Sequence, residues 1–309
     1  MLVPIPSQFP LKPKHPKNLK SNFDGKVFCV GYNKTGSSSL SLALKLLGFK
    51  AHKWRKRLPV NMKLESDGFS YLHPWYADGN FPYFIGTEDI SWIFHNPLLF
   101  EGVKSLSQRS SSFGDLPWLF LYPLFDQWYP NSKFILSVRS KTRDVVNSSL
   151  KMASRLKLKK SDGSYQEIAK KKVYGVNVEE YVMLVAKLYE EHNNNVIEYF
   201  SKSKDKKKQL LVINLQEESM AWEKLAEFLE CEVPDMPFPF INSAPESQVS
   251  ELLPLDFDLN WKDFNFSEKF TNFFEHCSKL KKNTTLNELD FEQLSQLYKP
   301  INRYPYKIT

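Results

Sequence analysis

The sequence predicts an α/β fold, a parallel β-sheet with helices on both faces, and three observations carry that expectation. Short apolar runs, VFCV, KFILSV and LLVINL, each precede a stretch with helical periodicity. These runs are predominantly apolar and do not alternate, as strands of a doubly covered parallel sheet are. The first run leads through a loop containing Gly31, Lys34 and Gly36 into a serine-rich helix start, the order of a P-loop-type anion cradle.

The elements follow in chain order. Residues 1–24 carry five prolines and several lysines and are expected to form an extended arm. Strand one is expected at 26–31. A helix is expected over 36–48, carrying Leu40, Leu42, Leu44, Leu46 and Leu47 and stopping at Gly48. A short second strand is expected at 50–54. Residues 55–100 start with a basic run, Arg55, Lys56 and Arg57, and continue rich in aromatics, so they read as an insertion able to line an acceptor pocket. Residues 102–112 read as a strand-like approach to Asp115. A helix is expected from Leu116 to Tyr129, with Asp115 as a candidate cap. Strand Lys133–Val138 is followed by a helix carrying Val145, Val146, Leu150 and Met152. Residues 156–175 read as a loop, and about 177–201 as a long amphipathic helix. Leu210–Leu215 is the last buried strand, and a helix over about 217–230 leads into a proline-rich passage. Two more helices are expected at 262–281 and 285–298. The expected organisation is an arm at 1–24, one domain at 25–243 and a helical C-terminal extension at 244–309 packed on that domain.

Bulk composition narrows the function classes. The chain has 309 residues, a formal net charge of +7 and 42% hydrophobic residues, enough apolar material for a large core. A modest, dispersed basic excess fits a small polyanionic ligand better than nucleic acid. Cys29, Cys231 and Cys277 are far apart and form neither a disulfide framework nor a metal-ligand spacing. That usage suggests a reducing, cytoplasmic setting. The proline-bearing N-terminus is unlike a signal peptide, and no run is long and apolar enough to span a bilayer, so no membrane association is expected.

The stretch Lys26–Ser41, KVFCVGYNKTGSSSLS, carries the first chemical signal. Loop amides and first-turn amides point at one hollow, and the helix dipole favours negative charge there. Lys34 adds a point charge, while Thr35, Ser37, Ser38 and Ser39 add hydroxyls. The same residues also suit a simple helix-capping turn. The spacing departs from G-x-x-x-x-G-K-[ST], because Lys34 precedes Gly36. The loop NKTGSSS resembles the 5′-phosphosulfate loop of the P-loop sulfotransferases, which use 3′-phosphoadenosine 5′-phosphosulfate (PAPS).

The resemblance extends through YPNSKFILSVR, EEHNNNV and the segment from Trp222 to Asn242, with its V-P and F-P-x-x-N steps, and covers roughly residues 26–243. It implies a sulfotransferase fold and transfer of a sulfuryl group from PAPS to a hydroxyl or amine of a small-molecule acceptor, without a metal, releasing the 3′,5′-bisphosphate PAP. It implies that Lys34, Thr35, Gly36, Ser37, Ser38 and Ser39 hold the 5′-phosphosulfate and that Arg139 and Ser148 hold the 3′-phosphate. The family's usual spacing from arginine to serine is eight; here plus eight is Asn147 and plus nine is Ser148, while Glu230 replaces a common glycine. Asp115, in FGDLPW, stands where the cytosolic sulfotransferases place a histidine base, and a carboxylate raised toward neutrality by desolvation can take that role. An N-cap is the competing role for Asp115, and His52 and Glu65 are alternative bases. Trp222, Phe228, Phe238 and Phe240 read as core, and His192 as structural. The rival readings are a P-loop kinase or other nucleotide-binding protein, and a nucleotide-binding module without transfer activity.

Overall fold

The computed structural model describes residues 23–53, 104, 107–114, 118–155, 178–241, 253–268 and 271. Five strands form one sheet: β1 (Val27–Cys29), β2 (Ala51–Lys53), β3 (Ser112–Gly114), β4 (Lys133–Ser137) and β5 (Leu210–Ile213). Their order is β2-β3-β1-β4-β5, and every pairing is parallel. In such a sheet the carboxyl ends of all strands lie along one edge, where ligands of open α/β sheets bind.

Successive side chains of a strand point to opposite faces, and the core divides accordingly. Val27, Cys29, Ile135 and Ile213 pack with α1 (Ser37–Leu46) and α6 (Ala221–Leu229) on one face. Phe28, Val30, Phe113, Phe134 and Leu136 pack on the other with α2 (Tyr122–Trp128) and α4 (Val178–Ser201). Phe28 is the hub of that layer: its ring stacks on Phe125 at 4.4 Å and on Phe113 at 5.0 Å. A third apolar layer joins α3 (Thr142–Arg155) to α4 through Val145, Val146, Leu150, Val182 and Val185. A short helix α5 (Lys204–Lys208) precedes β5. Among the described residues, no helix is long and apolar enough to cross a membrane.

Helix ends obey local rules. After α1, Gly48 takes φ 89°, its N–H donates to Lys45 O (3.1 Å), and the Phe49 N–H donates to Leu44 O (2.9 Å). This left-handed stop closes two otherwise orphaned carbonyls. Helix α6 ends the same way, but the left-handed position, φ 56°, holds Glu230. The Cys231 N–H donates to Ala226 O (2.9 Å), and the Glu230 carboxylate accepts from Lys133 Nζ (2.6 Å).

Several expectations differ from the structure, and Phe240, read as core, is exposed. The helix expected from Leu116 to Tyr129 is a 3-10 turn at Trp118–Phe120 followed by α2. Pro123 explains the break: inside a continuous helix its ring would meet the carbonyl of Leu119 and would donate no hydrogen bond, so the helix restarts with proline in its first turn. The strand-like approach over 102–112 contains helical residues at 107–109, and the strand lies at Ser112–Gly114. The arm at 1–22, the insertion at 55–100 and the loop at 156–175 lie outside the described residues, as does all but residue 271 beyond 268. Of the helix expected at 262–281, the described chain shows a 3-10 turn at Trp261–Asp263, an irregular run to 267 and helical residues at 268 and 271.

Glycine at the left-handed end of α6 relieves about 1 kcal/mol of backbone strain, while the exposed Lys133 pair contributes about 0–1 kcal/mol. Glu230→Gly is therefore expected to leave stability unchanged or raise it by up to about 1 kcal/mol. The denaturant midpoint measures this, and a loss above about 1 kcal/mol would contradict the assignment.

Candidate active site

The loop between β1 and α1 occupies the centre of the carboxyl edge, flanked by the ends of β3 and β4. Its backbone is left-handed twice, at Lys34 (φ 76°) and at Gly36 (φ 101°). Glycine adopts this shape freely, whereas lysine costs about 1–2 kcal/mol there. Three contacts hold it. Arg139 Nε donates to Lys34 O (2.9 Å), Thr35 Oγ1 donates to Tyr32 O (2.6 Å), and Thr35 Oγ1 shares a hydrogen with Ser137 Oγ (2.8 Å). A hydrogen bond from a charged donor contributes about 1.5–3 kcal/mol, so the Arg139 bond alone is of the size needed to offset the strain.

Gly31 allows the loop to lie against β4. A Cβ on it would stand 2.1 Å from Ser137 Oγ and 2.7 Å from both the Ser137 amide nitrogen and carbonyl oxygen. At Gly36 a Cβ would lie 3.0 Å from Leu215 Cδ1. Gly36 is also the N-cap of α1, so no side chain caps the first turn, and that turn contains no acidic residue. The first amides of a helix have no partner within it. An uncapped, acid-free first turn presents a partial positive charge to whatever fills the hollow.

The structure brings Lys34, Thr35, Gly36, Ser37, Ser38, Ser39 and Arg139 together at this edge, and each has a distinct setting. Thr35 is buried and its hydroxyl serves the loop itself. Ser39 is buried too, and its Oγ accepts from the Ile241 N–H (2.9 Å), tying the proline-rich passage to α1. Lys34, Ser37 and Ser38 are half-buried at the loop surface.

Arg139 is fixed at its backbone, and its tip bonds no described residue. Tyr189 Oη, from α4, accepts from the Arg139 N–H (2.9 Å) and donates to Arg139 O (3.1 Å). Nε is committed to the loop, and the two terminal nitrogens donate to no described residue. Burial lowers the guanidinium pKa, while Asp144 and Tyr189 act in the raising direction. An arginine remains charged throughout the working range, so Arg139 is a half-buried cation at the edge.

Ser148 lies half-buried on α3. Asn147, at the plus-eight position, is buried and its Oδ1 accepts from the Leu253 N–H (3.0 Å), so its side chain holds the C-terminal run. Asp115 and Glu65 lie outside the described residues, and His52 is described only as part of the β2 backbone. Asp115 directly follows β3, whose last residue, Gly114, is in register with Cys29 of β1.

Sequence reasoning missed three residues. Ser137 supports Thr35, Tyr189 clamps Arg139, and Asn214 Nδ2, at the end of β5, donates to Ser140 Oγ (2.6 Å). A polar residue inside the apolar run KFILSV was an available signal for Ser137. His192, read as structural, is buried; its Nε2 donates to Val30 O (2.7 Å) beneath the loop, and its ring lies between Tyr32 and Phe120.

A family model for the sulfotransferase domain matches residues 26–247. The chain belongs to the sulfotransferase-domain family. The matched span begins one residue before β1 and takes in the loop, Arg139 and all five strands. No curated protein matches the sequence significantly. A sulfotransferase moves a sulfuryl group, and the hollow described above has the charge and donors that such a group requires.

If the left-handed shape of Lys34 is imposed by its surroundings, glycine should relax it. Lys34→Gly is expected to be about 1 kcal/mol more stable than Lys34→Ala, although both lack the ammonium group. Paired denaturant melts check this; equal stability would mean that the loop carries no such strain.

Proposed function

We propose that this sulfotransferase takes PAPS as donor and transfers its sulfuryl group to a hydroxyl or amine of a small-molecule acceptor. The observation that carries the reading is the doubly left-handed loop with an uncapped helix start, joined by Arg139 Nε to a guanidinium whose tip bonds no described residue. PAPS has one anionic group at each end of its ribose. The protein has one cation in the loop and a second one on the adjoining strand end. The residues therefore fit the donor.

In this reading Lys34, the hydroxyls of Ser37 and Ser38 and the amides over 34–39 bind the 5′-phosphosulfate. Gly36 leaves the approach clear, while Thr35 and Ser39 keep the cradle in shape as well as contributing amides. The tip of Arg139, with Ser148, binds the 3′-phosphate, where a planar fork suits two phosphate oxygens. The acceptor atom bonds to sulfur as the bond from sulfur to the bridging phosphate oxygen breaks, and PAP leaves. Lys34 stabilises the charge that develops on the bridging oxygen. A base removes the acceptor's proton, and Asp115, placed directly after β3, is the first choice, with His52 and Glu65 as alternatives. Sulfuryl transfer, like phosphoryl transfer, rests on positioning and charge neutralisation, which backbone amides and Lys34 supply. We read the enzyme as cytoplasmic and its aromatic segment at 55–100 as acceptor-binding.

Calorimetry with PAP, followed by a labelled-sulfate acceptor screen, tests the donor assignment. Lys34→Ala is expected to lower turnover at least about 100-fold. Magnesium-dependent ATP turnover without PAP binding would replace the reading with a kinase. Tight PAP binding without transfer to any acceptor would replace it with a binding module. For the base, Asp115→Asn is expected to reduce kcat sharply with little change in PAP affinity; wild-type kcat in that variant would move the role to His52 or Glu65.

A further inference from the structure

Residues 253–267 lie as an irregular strap across α3 and α4, and an unusual number of side chains are committed to holding it. Arg143, in the first turn of α3, donates to three strap carbonyls: Pro254 O (2.6 Å), Leu255 O (3.0 Å) and Phe257 O (2.6 Å). Asn147, one turn later, takes the Leu253 N–H. Glu190 on α4 accepts from Thr142 Oγ1 (2.7 Å) with one oxygen and from Trp261 Nε1 (2.8 Å) with the other. Glu180 accepts from the Ser267 N–H (2.5 Å). Leu253 is fully buried in the α3–α4 core, and Phe257, Leu259, Trp261 and Phe266 pack against it.

The clamped surfaces are those that position Arg139. Thr142 and Arg143 follow it by three and four residues. Tyr189, which grips its backbone from both sides, is adjacent to Glu190. Ser148 is adjacent to Asn147. We propose that the strap is a positioning element for the 3′-phosphate half of the donor site, acting through Arg143, Asn147 and Glu190, which are positioning residues and not ligands. The proposal rests on the donor reading given above. It also gives a physical reason for asparagine at the plus-eight position: a buried amide oxygen is needed there to take the Leu253 N–H, and the neighbouring Ser148 is left for the phosphate. An unpaired buried amide would be costly, so this register is strongly held.

The test is displacement calorimetry with PAP and with AMP on wild type, Asn147→Ala, Arg143→Gln, Arg143→Lys and Trp261→Phe. AMP reports the 5′ cradle alone. Wild type failing to bind PAP would defeat the donor reading itself, a result separate from the outcomes below. With wild type binding, Asn147→Ala and Arg143→Gln are expected to lose about tenfold in PAP affinity while AMP affinity stays constant. Arg143→Lys should recover part of the loss. Trp261→Phe, which removes one hydrogen bond and keeps the packing, covers the case in which the stronger variants fail to fold, and should show a smaller loss of the same selectivity. Equal losses for PAP and AMP, or no loss for either, would overturn the proposal.

Discussion

The hydrogen bond from Arg139 Nε to Lys34 O is the contact on which the site depends. It joins the end of β4 to the crown of the β1–α1 loop across 105 positions of sequence. Together with the two Thr35 hydrogen bonds it offsets the cost of the left-handed backbone at Lys34. The same bond orients the guanidinium, whose terminal nitrogens meet no acceptor among the described residues. Loop shape and the placement of the second cation are therefore one structural event.

The rest of the fold serves that edge. The apolar layers on both faces lock the register of five parallel strands, and register places Cys29, Gly114 and Ile135 within one line. Close approach of loop and strand requires Gly31, because any larger residue would strike Ser137. From the opposite side α4 contributes Tyr189 and His192, which reach Arg139 and Val30 through hydrogen bonds to backbone groups. Stiffness thus comes from the packed helices, while the loop and Arg139 sit at the strand ends. A reaction driven by positioning and charge needs that division.

Much of this was legible in the sequence because the signals are local. Strand, glycine-bearing loop and serine-rich helix start are contiguous, and Gly48 marked the end of α1. The 222–242 segment was readable in outline, but the substitution at 230 made sense only once the left-handed turn was visible, where Glu230 gains Lys133 in exchange for strain. The helix expected over 116–129 ignored Pro123, a breaker that was present in the sequence. Contacts such as Thr35 with Ser137, or Asn147 with Leu253, join residues more than a hundred positions apart, and no periodicity announces them. Ser148 could be weighed only by spacing, while Asn147 beside it holds the Leu253 N–H. Asp115, His52 and Glu65 remain sequence-based candidates for the base.

The most direct measurement of the central claim is a crystal structure of the protein with PAP. The account predicts the 5′-phosphate against the amides over 34–39, the 3′-phosphate on the terminal nitrogens of Arg139, and the bond from Nε to Lys34 O unchanged. A nucleotide bound elsewhere, or an Arg139 that leaves Lys34 to reach the ligand, would contradict it.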